Sequence, residues 1–325
     1  MSKPYIYITR KIPETILASI QNDFEYKMWP EEEIPVPREV LLEEIKKADG
    51  VFSLLTEKFD SELMDEAPKL KIIANMAVGY DNIDIKEATK RNILVTNTPG
   101  VLTETTADLT FALLMATARR LIEAVDYIRQ DKWKSWYPMQ LTGQDIYEST
   151  LGIIGMGAIG TAVARRAKGF GMRILYHNRK RKEEVEIALG AEYRDKESLL
   201  KEADFVCLLT PLNAETYHLI GEKELNLMKP SAILINSARG GLVDTLALYQ
   251  ALKEKRIWAA GLDVFEDEPI DSRHMLLELP NVVTLPHIGS ASIKTRLKMA
   301  ELAMGNLRLY LSGQKPLTPV NPEIL

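Results

Sequence analysis

Short apolar runs alternate with helix-period segments along nearly the whole chain, and that alternation allows few folds. The runs fall at residues 5–9, 50–55, 72–76, 93–97, 151–154, 173–177, 205–209, 232–236, 259–264 and 282–285. Helical patterns lie between most of them. Strand–helix repetition of this kind builds parallel sheets with helices on both faces. The chain has 325 residues, which suits about two such domains. The expected fold class is α/β: two flavodoxin-like or Rossmann-type doubly wound parallel-sheet domains with a cleft between them.

Local signals support the helix starts. Pro37 precedes Arg38-Glu39-Val40-Leu41-Leu42, and proline is favoured at the head of a helix. Asp244 can cap the helix containing Leu246 and Leu252. The longest helical pattern opens at 102–108 and extends to about Arg129, a length suited to a helix between two domains. The turn Asn97-Thr98-Pro99-Gly100 closes a first strand–helix set, and Leu285-Pro286-His287-Ile288-Gly289-Ser290 closes a second. Residues 100–289 are therefore expected to form one domain. Residues 1–99 and 290–325 form the other, with a C-terminal helix from about Ser292 crossing back to join it. Segment 131–150, with Trp133, Trp136, Tyr137 and Tyr147, reads as a packed excursion.

Charge and cysteine usage narrow the function classes. A net charge of −5 argues against a broad nucleic-acid-binding face. The single cysteine, Cys207, cannot form an internal disulfide, and its apolar neighbours mark a buried strand thiol. The N-terminal stretch lacks the pattern of a secretory leader, and no run approaches the ~18 apolar residues of a membrane span. The expectation is a cytoplasmic protein with no nucleic-acid or membrane partner.

The most specific motif follows the run Leu151-Gly152-Ile153-Ile154. It reads Gly155-Met156-Gly157-Ala158-Ile159-Gly160, and the helical segment from Thr161 follows at once. The first glycine permits a tight turn, the second lets the backbone approach a pyrophosphate, and the third lets helix and strand pack closely. The helix N-terminus then faces the phosphates. With strand, helix and next strand all in place, the segment reads as a dinucleotide-binding turn. The next strand ends at Asn178-Arg179-Lys180-Arg181-Lys182, where NAD-selective domains carry an acidic residue. No carboxylate would repel a 2′-phosphate there and several cations could pair with it, so NADP(H) is favoured over NAD(H). The competing reading is a solvated basic helix start neutralised by Glu183 and Glu184.

Three polar residues lie just past strand ends in the second half: Arg239, Glu268 and His287. Ligands of open parallel sheets bind beyond the carboxyl ends of the strands, so all three are candidates for one site. They also complete a reaction. Hydride delivery to a keto group needs a proton donor, and a histidine titrates in the right range. Glu268 would orient the ring, and the Arg239 guanidinium would hold a substrate carboxylate and polarise the carbonyl. The plainer readings are a turn decoration for Arg239 and a solvated loop carboxylate for Glu268, as for Glu266 and Asp267. His177, His218 and His274 read as structural or surface residues. No metal site is expected.

These segments, together with Val78-Gly79-Tyr80-Asp81-Asn82-Ile83-Asp84 and 97–108, resemble the D-isomer-specific 2-hydroxyacid dehydrogenase family in order and spacing over nearly the whole chain. Within it the chain is most similar to the glyoxylate/hydroxypyruvate reductases, which include 2-ketogluconate reductases. Trp133-Lys134-Ser135-Trp136 and the basic run after Asn178 support that subgroup. The resemblance implies His287 as acid/base, Glu268 as its carboxylate partner and Arg239 as the substrate-binding arginine. It implies substrate contacts at Leu55 and at the backbone amides of Val78 and Gly79. It implies cofactor contacts at Thr106, Met156, Gly157, Ala158, Ile159, Asn178, Arg179, Lys180, Thr210, Pro211, Ser237, Ala238, Arg239, Asp263, His287 and Gly289. It further implies a homodimer in which Trp136 reaches toward the neighbouring active site. The missing acidic residue at Asn178 is the departure from NAD-preferring members.

The leading expectation is therefore an NADP(H)-linked reductase of small 2-keto acids, such as glyoxylate, hydroxypyruvate or 2-ketogluconate, to D-2-hydroxy acids. The alternatives are a relative using another hydride donor, phosphite or formate, and a non-catalytic dinucleotide-sensing regulator on the same fold.

Overall fold

The structure, a computed structural model, describes residues 3–325. Residues 1 and 2, part of the N-terminal stretch weighed as a leader, lie outside the described residues. The chain divides into two compact units. One comprises the residues up to Leu102 together with Ala291–Leu325; the other is Thr103–Ser290.

The first unit is built on five strands: β1 (Tyr5–Ile8), β2 (Glu25–Met28), β3 (Gly50–Ser53), β4 (Ile72–Asn75) and β5 (Leu94–Thr96). They pair in parallel in the order β2-β1-β3-β4-β5. Both faces are buried. Tyr7, Val51, Ile73 and Val95 enter one core, and Ile6, Phe52, Ile72, Ala74 and Leu94 enter the other. This follows from the period of two in a strand, and it is why the central strands read as unbroken apolar runs. The helix Ile293–Leu311 lays Ala300, Ala303, Met304 and Leu307 on the second face. The tail beyond it is tied to β5, with Val95 N–H donating to Asn321 Oδ1 at 2.8 Å and Val320 N–H to the Val95 carbonyl at 2.8 Å.

The second unit has seven parallel strands: β6 (Thr150–Ile154), β7 (Arg173–His177), β8 (Glu192–Tyr193), β9 (Phe205–Leu208), β10 (Ile233–Asn236), β11 (Ala259–Leu262) and β12 (Val282–Thr284). Their order is β12-β11-β10-β9-β6-β7-β8. The chain winds outward from β6 in one direction and from β9 in the other. The gap beyond the carboxyl ends of β6 and β9 is thus a topological switch point, where such sheets bind ligands. Two cores cover the two faces, with Leu151 and Ile153 in one and Ile154 in the other. Both units are doubly wound parallel sheets, as the alternation of apolar runs requires.

Several expectations need correction. Strands β2 and β8 escape the apolar-run criterion. β2 (Glu-Tyr-Lys-Met) is largely exposed at a sheet edge, and β8 is a two-residue edge strand. The helical pattern 102–129 is not one helix. It breaks into Thr103–Ala118 and Leu121–Arg129, with Arg120 in the left-handed region at φ 53°. The Ala118 carbonyl accepts the Gln144 N–H at 2.9 Å, which diverts the chain there. The longest helix is instead Ile293–Leu311. Segment 131–150 is packed only in part: Ile146 is buried in the core with Leu151 and Ile153, whereas Trp136 is 76% exposed, and Trp133, Tyr137, Met139 and Tyr147 are exposed as well. Asp244 does cap its helix, accepting the Ala247 N–H at 2.9 Å. Among the described residues, no helix is long and apolar enough to cross a membrane.

Candidate active site

The glycine turn sits at the switch point. β6 ends at Ile154, and Gly155 follows with φ +106°. A Cβ on Gly155 would lie 2.5 Å from the Leu209 carbonyl carbon and 2.6 Å from the Thr210 nitrogen, so the turn presses directly on the end of β9. A Cβ on Gly160 would lie 2.3 Å from the Gly155 carbonyl oxygen, which holds helix and turn together. Gly157 differs. Nothing lies within 4 Å of a Cβ placed there, and the residue heads the helix Ala158–Gly169 without any capping side chain. The N-terminal amides of that helix, beginning at Ala158 and Ile159, therefore border open space, the arrangement that receives a phosphate.

Met156 and Asn178 act on each other. The Met156 side chain is buried, and its N–H donates to Asn178 Oδ1 at 2.7 Å. The Asn178 side chain is thus turned inward, bolting the end of β7 to the glycine turn. The basic run beyond it divides. Arg181 pairs with Glu186 at 2.6 Å, and Lys182 lies 3.7 Å from Glu184. Arg179 remains at the surface, 3.6 Å from Glu215, and Lys180 has no ion pair among the described residues. Nearby acids therefore reach Arg181, Lys182 and Arg179, and of the run Lys180 alone has no ion pair among the described residues.

His287 and Glu268 meet. Nδ1 of His287 lies 2.6 Å from Glu268 Oε2, and Glu268 Oε1 accepts the Phe265 N–H at 2.9 Å. Burial pushes the Glu268 carboxyl up. The hydrogen bond and charge of His287, the Phe265 amide and the charge of Arg239 outweigh that and hold it below the usual carboxylate range. Arg239 is thus close enough for its charge to act on Glu268. Its guanidinium Nη1 also donates to the Ala238 carbonyl at 2.8 Å. The turn that carries it is shaped by Asn236, whose Oδ1 accepts the Ala238 N–H at 3.1 Å and whose Nδ2 donates to the Arg239 carbonyl at 2.8 Å.

The two loops bearing Arg239 and Glu268 are in direct contact. A Cβ on Gly240 would lie 1.8 Å from the Phe265 carbonyl carbon and 2.2 Å from the Glu266 nitrogen. Only glycine admits that approach. Glu266 adds a second tie. It accepts from Tyr217 Oη at 2.7 Å and Thr245 Oγ1 at 3.2 Å, and its Oε1 lies 2.8 Å from His218 Nε2. Glu266 is therefore not the solvated loop residue expected, and His218 is not without a carboxylate context. The spacing carried no signal for this cluster, because its members come from three separate loops.

Asp263 is the buried acid of the site. His287 takes φ 53°, a conformation that costs a non-glycine residue roughly 1–3 kcal/mol. It is held there by its N–H donating to the Asp263 carbonyl at 2.9 Å and by Ile288 N–H donating to Asp263 Oδ1 at 2.8 Å. Asp263 is fully buried, which raises its pKa, and its Oδ2 has no hydrogen-bond partner among the described residues. An orphaned buried acceptor is costly unless a ligand donor reaches it. Gly289 and Thr106 stand beside that oxygen: a Cβ on Gly289 would lie 3.2 Å from Asp263 Oδ2 and 3.4 Å from Thr106 Cγ2. Ser237 Oγ lies 2.6 Å from Thr110 Oγ1. Thr210 and Pro211 follow β9, and the Pro211 carbonyl accepts from Thr216 Oγ1 at 2.8 Å. In the first unit, Leu55 lies beyond the carboxyl end of β3, and Val78 and Gly79 lie beyond that of β4.

Comparison with known proteins bears on this arrangement. The family model for the D-isomer specific 2-hydroxyacid dehydrogenase NAD-binding domain matches residues 111–289. A glyoxylate reductase of Korarchaeum cryptofilum is 56% identical over 324 residues, covering 99% of this chain and 97% of that one. A protein of Thermus thermophilus has a structure that superposes with a TM-score of 0.91 at 45% identity, over 97% of this chain and 99% of that one. An NADPH-dependent glyoxylate/hydroxypyruvate reductase of Sinorhizobium meliloti, solved with NADP and malonate, superposes with a TM-score of 0.86 at 36% identity, over 98% of this chain and 97% of that one.

Proposed function

The chain belongs to the D-isomer specific 2-hydroxyacid dehydrogenase family, an oxidoreductase family, and we propose that it reduces glyoxylate and related small 2-keto acids with NADP(H). The observation that carries this reading is the 2.6 Å contact between His287 and Glu268 on the unit that bears the glycine turn. A bound nicotinamide cofactor supplies the hydride. The residues of the chain supply binding, orientation and the proton.

Glu268 holds Nδ1 of His287, so Nε2 is the ring nitrogen that hands a proton to the developing alkoxide. Because Glu268 stays ionised below the usual carboxylate range, the ring keeps this anchor across neutral pH. Arg239 would grip the substrate carboxylate and polarise the keto oxygen. Within the first unit, the Val78 and Gly79 amides and Leu55 are the candidate substrate contacts. The amides at Gly157, Ala158 and Ile159 receive the pyrophosphate. Asp263 Oδ2 fits a nicotinamide carboxamide, whose N–H would satisfy the orphaned acceptor. Thr106, Thr210, Pro211, Ser237, Ala238 and Gly289 complete that binding surface.

Preference for NADP(H) rests on two exposed cations at a strand end that carries no carboxylate of its own: Lys180, and Arg179, whose ion partner Glu215, 3.6 Å away, is itself exposed. The Sinorhizobium relative that was solved with NADP supports it. Asn178 contributes by fixing the glycine turn. A homodimer is proposed from the helix Leu121–Arg129, on which Leu121, Ile122, Val125 and Ile128 are all exposed, together with exposed Trp136. Such an apolar stripe calls for a cover.

The test is a spectrophotometric panel of glyoxylate, hydroxypyruvate, pyruvate and 2-ketogluconate with NADPH and NADH. Oxidation of NADPH on adding glyoxylate supports the reading. Inertness toward all four, with phosphite or formate reducing NAD(P), would replace it with the alternative hydride donors.

A further inference from the structure

The segment Ala77-Val78-Gly79 leaves the carboxyl end of β4 with its three carbonyl oxygens each held from behind. The Ala77 carbonyl accepts the Thr98 N–H at 2.8 Å. The Val78 carbonyl accepts Asn97 Nδ2 at 2.8 Å, and the Gly79 carbonyl accepts Asn75 Nδ2 at 3.0 Å. A trans peptide is planar, so holding one carbonyl sends the N–H of the next residue out on the opposite side. Holding the Ala77 carbonyl therefore aims the Val78 N–H, and holding the Val78 carbonyl aims the Gly79 N–H. Among the described residues neither N–H has an acceptor. Two successive unpaired donors of fixed direction match the two oxygens of a carboxylate.

The holders are themselves braced. Asn75 is fully buried, and its Oδ1 accepts from Ser53 Oγ at 3.4 Å. Asn82 Nδ2 donates to the carbonyls of Leu54 at 3.2 Å and Glu57 at 2.9 Å. Buried Glu57 accepts the Leu54 N–H at 2.8 Å and Thr9 Oγ1 at 2.6 Å. The turn bearing Leu55 and the turn bearing Val78 and Gly79 are thus parts of one hydrogen-bonded frame. The Asn97 backbone is secured separately. Its N–H donates to the Thr318 carbonyl at 3.3 Å and its carbonyl accepts Thr318 Oγ1 at 2.6 Å. Truncating its side chain therefore leaves the chain path in place.

We propose that Asn97 is a positioning residue for substrate: its side-chain amide holds the Val78 carbonyl and so sets the direction of the Gly79 N–H, one of the two backbone donors that bind the carboxylate of the 2-keto acid. This rests on the reading given under Proposed function. Asn97 does not touch substrate and acts through a carbonyl, while Asn75 holds the Gly79 carbonyl and steadies the end of the turn.

The test is Asn97→Ala, with Asn97→Asp as the same-sized variant that lacks the donor. Four quantities are measured: kcat and KM for glyoxylate, inhibition by oxalate, turnover of methylglyoxal, which lacks a carboxylate, and NADPH binding by fluorescence. Loss of one positioning hydrogen bond raises KM for glyoxylate and the oxalate inhibition constant together by about tenfold. Turnover of methylglyoxal and NADPH binding stay at wild-type values. Wild-type KM and oxalate inhibition in both variants overturns the proposal. So does an equal loss on glyoxylate and methylglyoxal, which marks a merely structural role. If the wild-type chain neither reduces glyoxylate nor binds oxalate, the parent reading fails instead, and that result appears before any variant is made.

Discussion

Gly240→Ala isolates the contact between the loops that bear Arg239 and Glu268. The new Cβ would sit 1.8 Å from the Phe265 carbonyl carbon, whereas ordinary contact begins at 3.4 Å, so the neighbour must retreat by about 1.6 Å. The neighbour is backbone, and the Phe265 N–H is the donor that holds Glu268 Oε1 at 2.9 Å. Displacing Phe265 therefore displaces Glu268 from His287. A shift of about 1 Å in a catalytic constellation costs on the order of 100-fold, and kcat/KM for glyoxylate should fall by at least that. Overpacking costs roughly 1–3 kcal/mol. For a unit of this size that lowers Tm by roughly 2–12 °C. The control is Gly305→Ala on the helix Ile293–Leu311, where a Cβ meets nothing within 4 Å. Replacing that helical glycine should stabilise by about 0.5–1 kcal/mol and leave turnover unchanged. Kinetics and thermal melts of both variants decide the matter. Wild-type kcat/KM in the Gly240→Ala variant would refute the argument that this close approach sets the Glu268 geometry.

Further outcomes follow from the same geometry. His287→Ala should lower kcat by roughly 10²–10⁴-fold while NADPH binding, read by fluorescence, persists; wild-type turnover would remove it as proton donor. Asn178→Asp combined with Arg179→Gln should move the NADPH/NADH ratio of kcat/KM toward NADH, and an unchanged ratio would show the 2′-phosphate to be held elsewhere. Acid stability should respond to Glu192, whose carboxyl is held down to about 2 by hydrogen bonding to Arg173, reinforced by Arg194. A depressed pKa contributes stability fully above the ordinary carboxylate value, and that contribution is lost as pH falls through about 2. Melts of wild type and Glu192→Gln should therefore differ most at neutral pH and converge in strong acid. The gap will be small, because the Glu192 side chain is 40% exposed; a gap that widens on acidification would contradict the assignment.

What could be read from residue order was whatever burial or a covalent turn imposes locally. The central strands β3, β4, β6, β9 and β10 are covered on both faces, so they must be apolar throughout, and they stand out as runs. The edge strands β2 and β8 escape that requirement and leave no such run. Gly155 and Gly160 are legible because a strand, a tight turn and a helix can meet there only through glycine, and Gly157 because it heads the helix beside open space. His287, Glu268 and Arg239 stand out because each lies just past a strand end.

Other features depend on residues far apart in sequence. The helix break at Arg120 depends on Ala118 meeting Gln144, and nothing in 103–129 announces it. Gly240 reads as a flexible turn residue until the Phe265 peptide is placed against it. Glu266 reads as a solvated acid until Tyr217, His218 and Thr245 converge on it. Asn97 has no motif value as a residue; its role exists only because folding brings its amide under the Val78 carbonyl. The sequence by itself determined the two doubly wound sheets, the dinucleotide turn and the identity of the candidate reacting side chains. The tertiary structure decided how those side chains and backbone donors are aimed, because direction is set by hydrogen bonds and close contacts between segments that the linear order keeps apart.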